Sequence, residues 1–140
     1  MPLAVEKDEL DTFLRTVFPQ VEADFTIDEL RENHIIVRLN TAEKHLRPGG
    51  TVSGPSMFGL ADVAAYLLVM AHVGKKELAV TTNCAIDFMR KPEAGKDLLC
   101  EGRLLKLGKA LAVVETHLRS DGFAPVVARA SLTYSIPPKV

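Results

Sequence analysis

Between Pro48 and Ala71 the only formally charged side chain is Asp62, eight residues past Gly54 in the turn Ser53-Gly54-Pro55. A carboxylate on so apolar a segment must be paired or useful, and it could take a proton from water. Gly54, where a helix should begin, offers a backbone N–H, aided by the helix dipole, to an oxygen that turns negative. A base and an oxyanion donor are the parts of a hydrolytic attack on a carbonyl. Each also has a plainer explanation. Asp62 could be a structural acid bonded to Tyr66 one turn along or to a facing subunit, and Gly54 a simple tight turn. Ser53 reads as an N-cap rather than a nucleophile, because no His stands at an evident spacing and the turn is not a G-x-S-x-G elbow.

The elements that must hold these groups are legible in outline. Leu10, Phe13, Leu14 and Val17 recur at helical spacing, so Glu9 to Phe18 is predicted as an amphipathic surface helix stopped by Pro19. Ala23 to Leu30 and His34 to Leu39 read as a hairpin, and Thr41 to Val52 as a loop rich in turn formers. Ser53 as cap, Pro55 in the first turn and Gly74 at the end predict a helix over Gly54 to Val73, apolar nearly all round. Four strands follow: Leu78 to Met89, Asp97 to Leu107, Ala110 to Ser120 and Val126 to Tyr134. Period-two alternation assigns Val80, Thr82, Cys84, Ile86 and Phe88 to one face of the first, with Thr81 and Asn83 together on its polar face. Glu101, Arg103, Glu115, His117 and Arg119 belong to a water-facing side. An antiparallel sheet curled about the apolar helix satisfies every pattern, so the expected class is α+β, a single domain over 1–140 with an N-terminal helical segment over 1–20, the central helix over 54–73 and a four-strand tail over 78–134.

Composition narrows the function. The 140 residues are 47% hydrophobic and 25% charged with net charge −1, enough for one real core and no field to gather nucleic acid or an anionic membrane. Met57 to Val73 is long and apolar, but an unpaired Asp in mid-bilayer costs about 3 kcal/mol, so a helix buried in a soluble protein is expected. Cys84 and Cys100 have neither CxxC nor Cys/His spacing and suit a reducing cytoplasm as small buried hydrophobes. No pair of histidines has ligand spacing, so neither a metal nor another cofactor is expected. The N-terminus lacks the uninterrupted apolar core of a secretory signal.

Element order and the motif GxxSGPxxxxLADxAAY, with the later FMRKPEAGKDLLCEGRLLKLGKALAVVE, resemble the hotdog-fold acyl-CoA thioesterases of the PaaI-like family over roughly Leu39 to Tyr134. The resemblance implies a curved antiparallel sheet wrapped around a central helix and hydrolysis of acyl-CoA or related thioesters, coenzyme A being part of the substrate. It puts Asp62 on the family's catalytic acid, Gly54 on the glycine whose N–H polarises the carbonyl, and Thr81 on a hydroxyl that helps position the water. Asn83, on the same strand, would meet the substrate, unless it and Thr81 serve only as cross-strand hydrogen-bonding groups of an ordinary sheet. It also implies a homo-oligomer, dimer or dimer of dimers, with each site drawn from two chains. Relatives usually read His-Gly-Gly where this chain has Ser53-Gly54-Pro55, and Asn or a similar polar residue where it has Arg47. His45, in the long loop, is a possible substitute for the missing His. Arg90, Lys91, Lys106 and Lys109 are positive groups that could hold the coenzyme phosphates or be merely solvated turn residues, and Met57 and Phe58 could line an acyl pocket. Two other readings stay open: an acyl-CoA or small-ligand binding protein that does no chemistry, and a hotdog hydratase or dehydratase, which typically needs a His beside its acid.

Overall fold

The computed structural model describes residues 2–74 and 79–138, without the side chains of 20–22. Helix α1 (Lys7–Val17) and a 3-10 segment (Pro19–Asp24) precede β1 (Phe25–Arg31) and β2 (His34–Leu39); helix α2 (Gly54–Val73) is followed by β3 (Val80–Phe88), β4 (Leu98–Leu107), β5 (Leu111–Ser120) and β6 (Ala128–Ser135). All pairings are antiparallel and the six strands run in the order β1-β2-β4-β5-β6-β3. The expected start of β3 at Leu78 lies outside the described residues. Residues 19–24, the first two of the predicted first strand among them, form a 3-10 turn where Pro19 sets the backbone.

Helix α2 lies across the inner face of the sheet, with twelve of its twenty residues buried. Its ends obey local signals. Ser53 is extended and its hydroxyl accepts from Ser56 N–H, while Gly74 takes the left-handed conformation (φ 88°) that ends the helix. By length and composition α2 could cross a bilayer; here the sheet supplies its apolar surroundings. Close approach of helix and sheet is permitted at Gly102, where an added Cβ would lie 3.1 Å from Ile35 Cγ2 and 3.7 Å from Leu68 Cδ2. Helix α1 buries Leu10, Phe13 and Leu14, and stacks Phe13 on Tyr66 of α2 with ring centroids 6.2 Å apart.

Strand β3 departs from the expected alternation, and the departure matters. Thr81 pairs with Tyr134 and Asn83 with Thr133, so Thr82 is the extra residue of a bulge. A bulge moves every later side chain across the sheet relative to those before it. Thr81 therefore shares the inner face with Cys84, Ile86 and Phe88, whose partners Leu132, Ala130 and Ala128 are buried. Asn83 turns to the exposed outer side. Thr81 and Asn83 do not share a face, because the alternation read from the sequence assumed an unbroken ladder. Strand β3 is also an edge of the sheet, with Val80 57% and Phe88 52% exposed.

Candidate active site

Asp62 lies on the side of α2 that faces the N-terminal half of β3, half-buried. Thr81 Oγ1 donates to Asp62 Oδ1 at 2.6 Å, a contact made possible by the bulge. Tyr134, the β6 partner of Thr81, brings its hydroxyl to 2.5 Å from the same Oδ1 and 2.8 Å from the Asp62 carbonyl oxygen. Burial first, then the Asp62 charge, pushes the Tyr134 phenol well above its ordinary range, so it remains a donor. These groups line a cavity of about 500 Å³ with Phe18, Val63, Tyr66, Ala79 and Val80. Phe18 meets Tyr66 edge-on at 5.5 Å, which ties the end of α1 to the wall of this cavity. The sequence pattern places Tyr134 only at the end of the last predicted strand. The usable signal is that a buried phenol needs a partner for its hydroxyl.

At the other end of β3 stands Gly54, the first residue of α2. Among the described residues its N–H meets no acceptor, as expected of a helix's first turn. Pro55 adds no donor. A second cavity, about 390 Å³, is lined by Gly54, Arg47, Met57, Phe88, Arg90 and Lys91, together with Thr51, Val52, Met89 and Pro92. It is therefore apolar on the helix side and cationic at its rim. Phe88 packs where a Cβ on Gly54 would project, 3.5 Å away. Ser53 serves as the cap and bonds to Ser56.

The remaining sequence-predicted residues are scattered in the single chain. Lys106 and Lys109 flank the β4–β5 turn, at the sheet end where Leu111 and Val80 both pair with Ser135. Arg90 and Lys91 follow the opposite end of β3, about 26 Å away at 3.3 Å per residue. Phe58 is 40% exposed and lines neither cavity. His45 is buried in its own loop, where its Nδ1 accepts from Ala42 N–H at 2.9 Å and its Nε2 stands 3.6 Å from Asp24 Oδ2, and it lines neither cavity. Cys100 is sealed in the core, and burial pushes its thiol up, as it does less completely for Cys84. Among the described residues no group of His, Cys, Asp and Glu has the arrangement of a metal site.

Gly54 and Asp62 are themselves about 12 Å apart along the helix, at 1.5 Å per residue, and line different cavities. One chain thus presents two cavities, one near each end of its open edge strand.

A family model described as the thioesterase superfamily matches residues 49–127, from the glycine turn to the threshold of β6. An inferred esterase of Pseudomonas aeruginosa is 30% identical over 107 residues, spanning 76% of this chain and 78% of that protein. The crystal structure of an inferred thioesterase from Silicibacter sp. TM1040 has 59% identity and a TM-score of 0.93, covering 99% of this chain and 96% of that one. A Streptococcus mutans UA159 protein solved bound to acetyl CoA has 25% identity and a TM-score of 0.73, covering 82% and 90% of the two chains.

Proposed function

The chain belongs to the thioesterase superfamily, and from that premise we propose that it hydrolyses acyl-CoA or related thioesters in sites built from two copies of the chain. The observation that carries this reading is the opposed direction of α2 and β3, with Gly54 beside Phe88 at one end and Asp62 bonded to Thr81 at the other. Antiparallel pairing of two β3 edges about a two-fold axis brings the Gly54 end of one copy against the Asp62 end of its partner. The same operation covers the exposed Val80 and Phe88 and satisfies an otherwise open edge. It also carries Arg90 and Lys91 of one copy toward the Lys106 and Lys109 turn of the other, giving the coenzyme phosphates cations from both.

In each composite site Asp62 takes a proton from water as it attacks the thioester carbonyl, and the Gly54 N–H of the other copy receives the oxygen as it turns negative. Collapse of that intermediate expels the thiolate of coenzyme A and leaves the free acid. The acyl group lies in the cavity walled by Phe18, Val63 and Tyr66. Arg47, Arg90 and Lys91 meet the phosphates at the rim of the other cavity, as befits a relative solved with acetyl CoA. Two free cysteines suit the reducing cytoplasm. Thiol release from a panel of acyl-CoAs tests the reading. Wild type should turn over at least one, and Asp62→Asn should lose about 10²- to 10⁴-fold in kcat while still folding; undiminished turnover in the variant refutes the role of Asp62. Binding without turnover is the second reading, favoured by Ser53 in the motif position of the His and by the sequestered His45. It requires acyl-CoA affinity with no thiol released.

A further inference from the structure

Both side-chain hydrogen bonds to the Asp62 carboxylate end on the same atom. Thr81 Oγ1 lies 2.6 Å and Tyr134 Oη 2.5 Å from Oδ1, and among the described residues no hydrogen bond reaches Oδ2. The arrangement is built into the sheet. Thr81 and Tyr134 are register partners on β3 and β6, and the bulge at Thr82 turns the threonine to the tyrosine's side. Tyr134 is 1% exposed, and its ring is fixed by the core and by Tyr66 at 6.2 Å. Its single proton has two acceptors within reach, the carboxylate oxygen at 2.5 Å and the Asp62 carbonyl at 2.8 Å. The shorter contact to the charged group is the stronger. An oxygen that already accepts two short bonds has little lone-pair capacity left for a water proton, whereas its twin retains all of its own.

We propose that Tyr134 is a positioning residue: with Thr81 it clamps Oδ1 of Asp62, so that Oδ2 is the oxygen that receives the proton of the attacking water. The proposal rests on the reading of Asp62 as the base. It assigns the two carboxylate oxygens different tasks, one held and one reactive. It also explains a phenol at the inner end of an otherwise aliphatic strand face, where Phe would pack as well.

Tyr134→Phe removes one oxygen atom and keeps the ring. With folding verified by circular dichroism, kcat should fall about 10- to 100-fold with KM within about twofold, as expected for loss of a hydrogen bond to a charged group. Introduced into Asp62→Asn, the same change should alter residual kcat by less than about twofold, because the group it orients is gone. Equal losses in both backgrounds, or a raised KM at unchanged kcat, overturn the proposal. An optical titration decides independently of folding of that variant and of turnover. In a Tyr66→Phe background, Tyr134 is the one remaining tyrosine of the chain's two, and its tyrosinate band should emerge at lower pH when Asp62→Asn is added. An unmoved band overturns the clamp. If wild type releases no thiol from any acyl-CoA, the hydrolase reading fails, and this titration alone decides whether Tyr134 holds Asp62.

Discussion

Two variants, each inactive alone, should restore one another when mixed if the half-sites belong to different copies. Asp62→Asn removes the base. Gly54→Pro removes the N–H; because Gly54 itself precedes Pro55, which disfavours a helical backbone at a residue bearing a Cβ, circular dichroism must first show that α2 is retained. Ser53 already has the extended backbone (φ −75°, ψ 157°) that a following proline requires, the first helical position tolerates proline, and the nearest atom to an added Cβ is a Phe88 ring carbon at an ordinary 3.5 Å. Loss of such a donor costs about 10²- to 10³-fold in kcat. A dimer containing one chain of each kind has one site with both defects and one with neither. A mixed dimer purified through two tags should therefore show about half the wild-type kcat per dimer, and a random equimolar mixture about a quarter. Both figures stand far above either parent. If Gly54 and Asp62 acted within one chain, every site in the mixture would carry a defect and nothing would be regained. Thiol release with verified subunit exchange reads the difference, and activity at the level of the parents would refute the composite site.

Enlarging the acyl cavity by Phe18→Ala should shift preference toward longer acyl chains, by about 0.8 kcal/mol or roughly fourfold in kcat/KM for each additional methylene accommodated; an unchanged chain-length profile would remove Phe18 from the pocket wall. Stability should respond to alkaline pH through Tyr134, whose folded phenol is held above the ordinary value of 10.0 by burial and then by the Asp62 charge. A group raised on folding contributes fully below its unfolded pKa, so the contribution holds up to about pH 10 and declines as pH rises further. Urea unfolding between about pH 8 and pH 11 should show a steeper alkaline decline in wild type than in Tyr134→Phe, and equal slopes would contradict the shift.

Helix α2 was legible to the residue because its boundaries depend on neighbours in the chain: Ser53 caps, Pro55 suits the first turn, Gly74 adopts the left-handed stop. The water-facing side of β4 and β5 was legible too, since period two holds wherever the ladder is unbroken: Glu101 pairs with His117 and Arg103 with Glu115, and none of the four is buried. Strand β3 was misread because a bulge is a property of a strand pair. Nothing in VTTNC itself says that Thr82 will be skipped when Thr81 meets Tyr134. For the same reason the sequence offers Tyr66, one helical turn away, or a facing subunit as a structural partner of Asp62, whereas it is Tyr134, 72 residues away, that donates to its carboxylate.

Chain-local chemistry thus determined that an acid would stand on a capped apolar helix under a sheet with one apolar face, and which glycine would open that helix. Which hydroxyls reach that acid, which oxygen they hold, and how far Gly54 and the cations lie from it follow from strand register and helix direction. These are set by contacts between residues remote in the chain, and only the folded structure contains them.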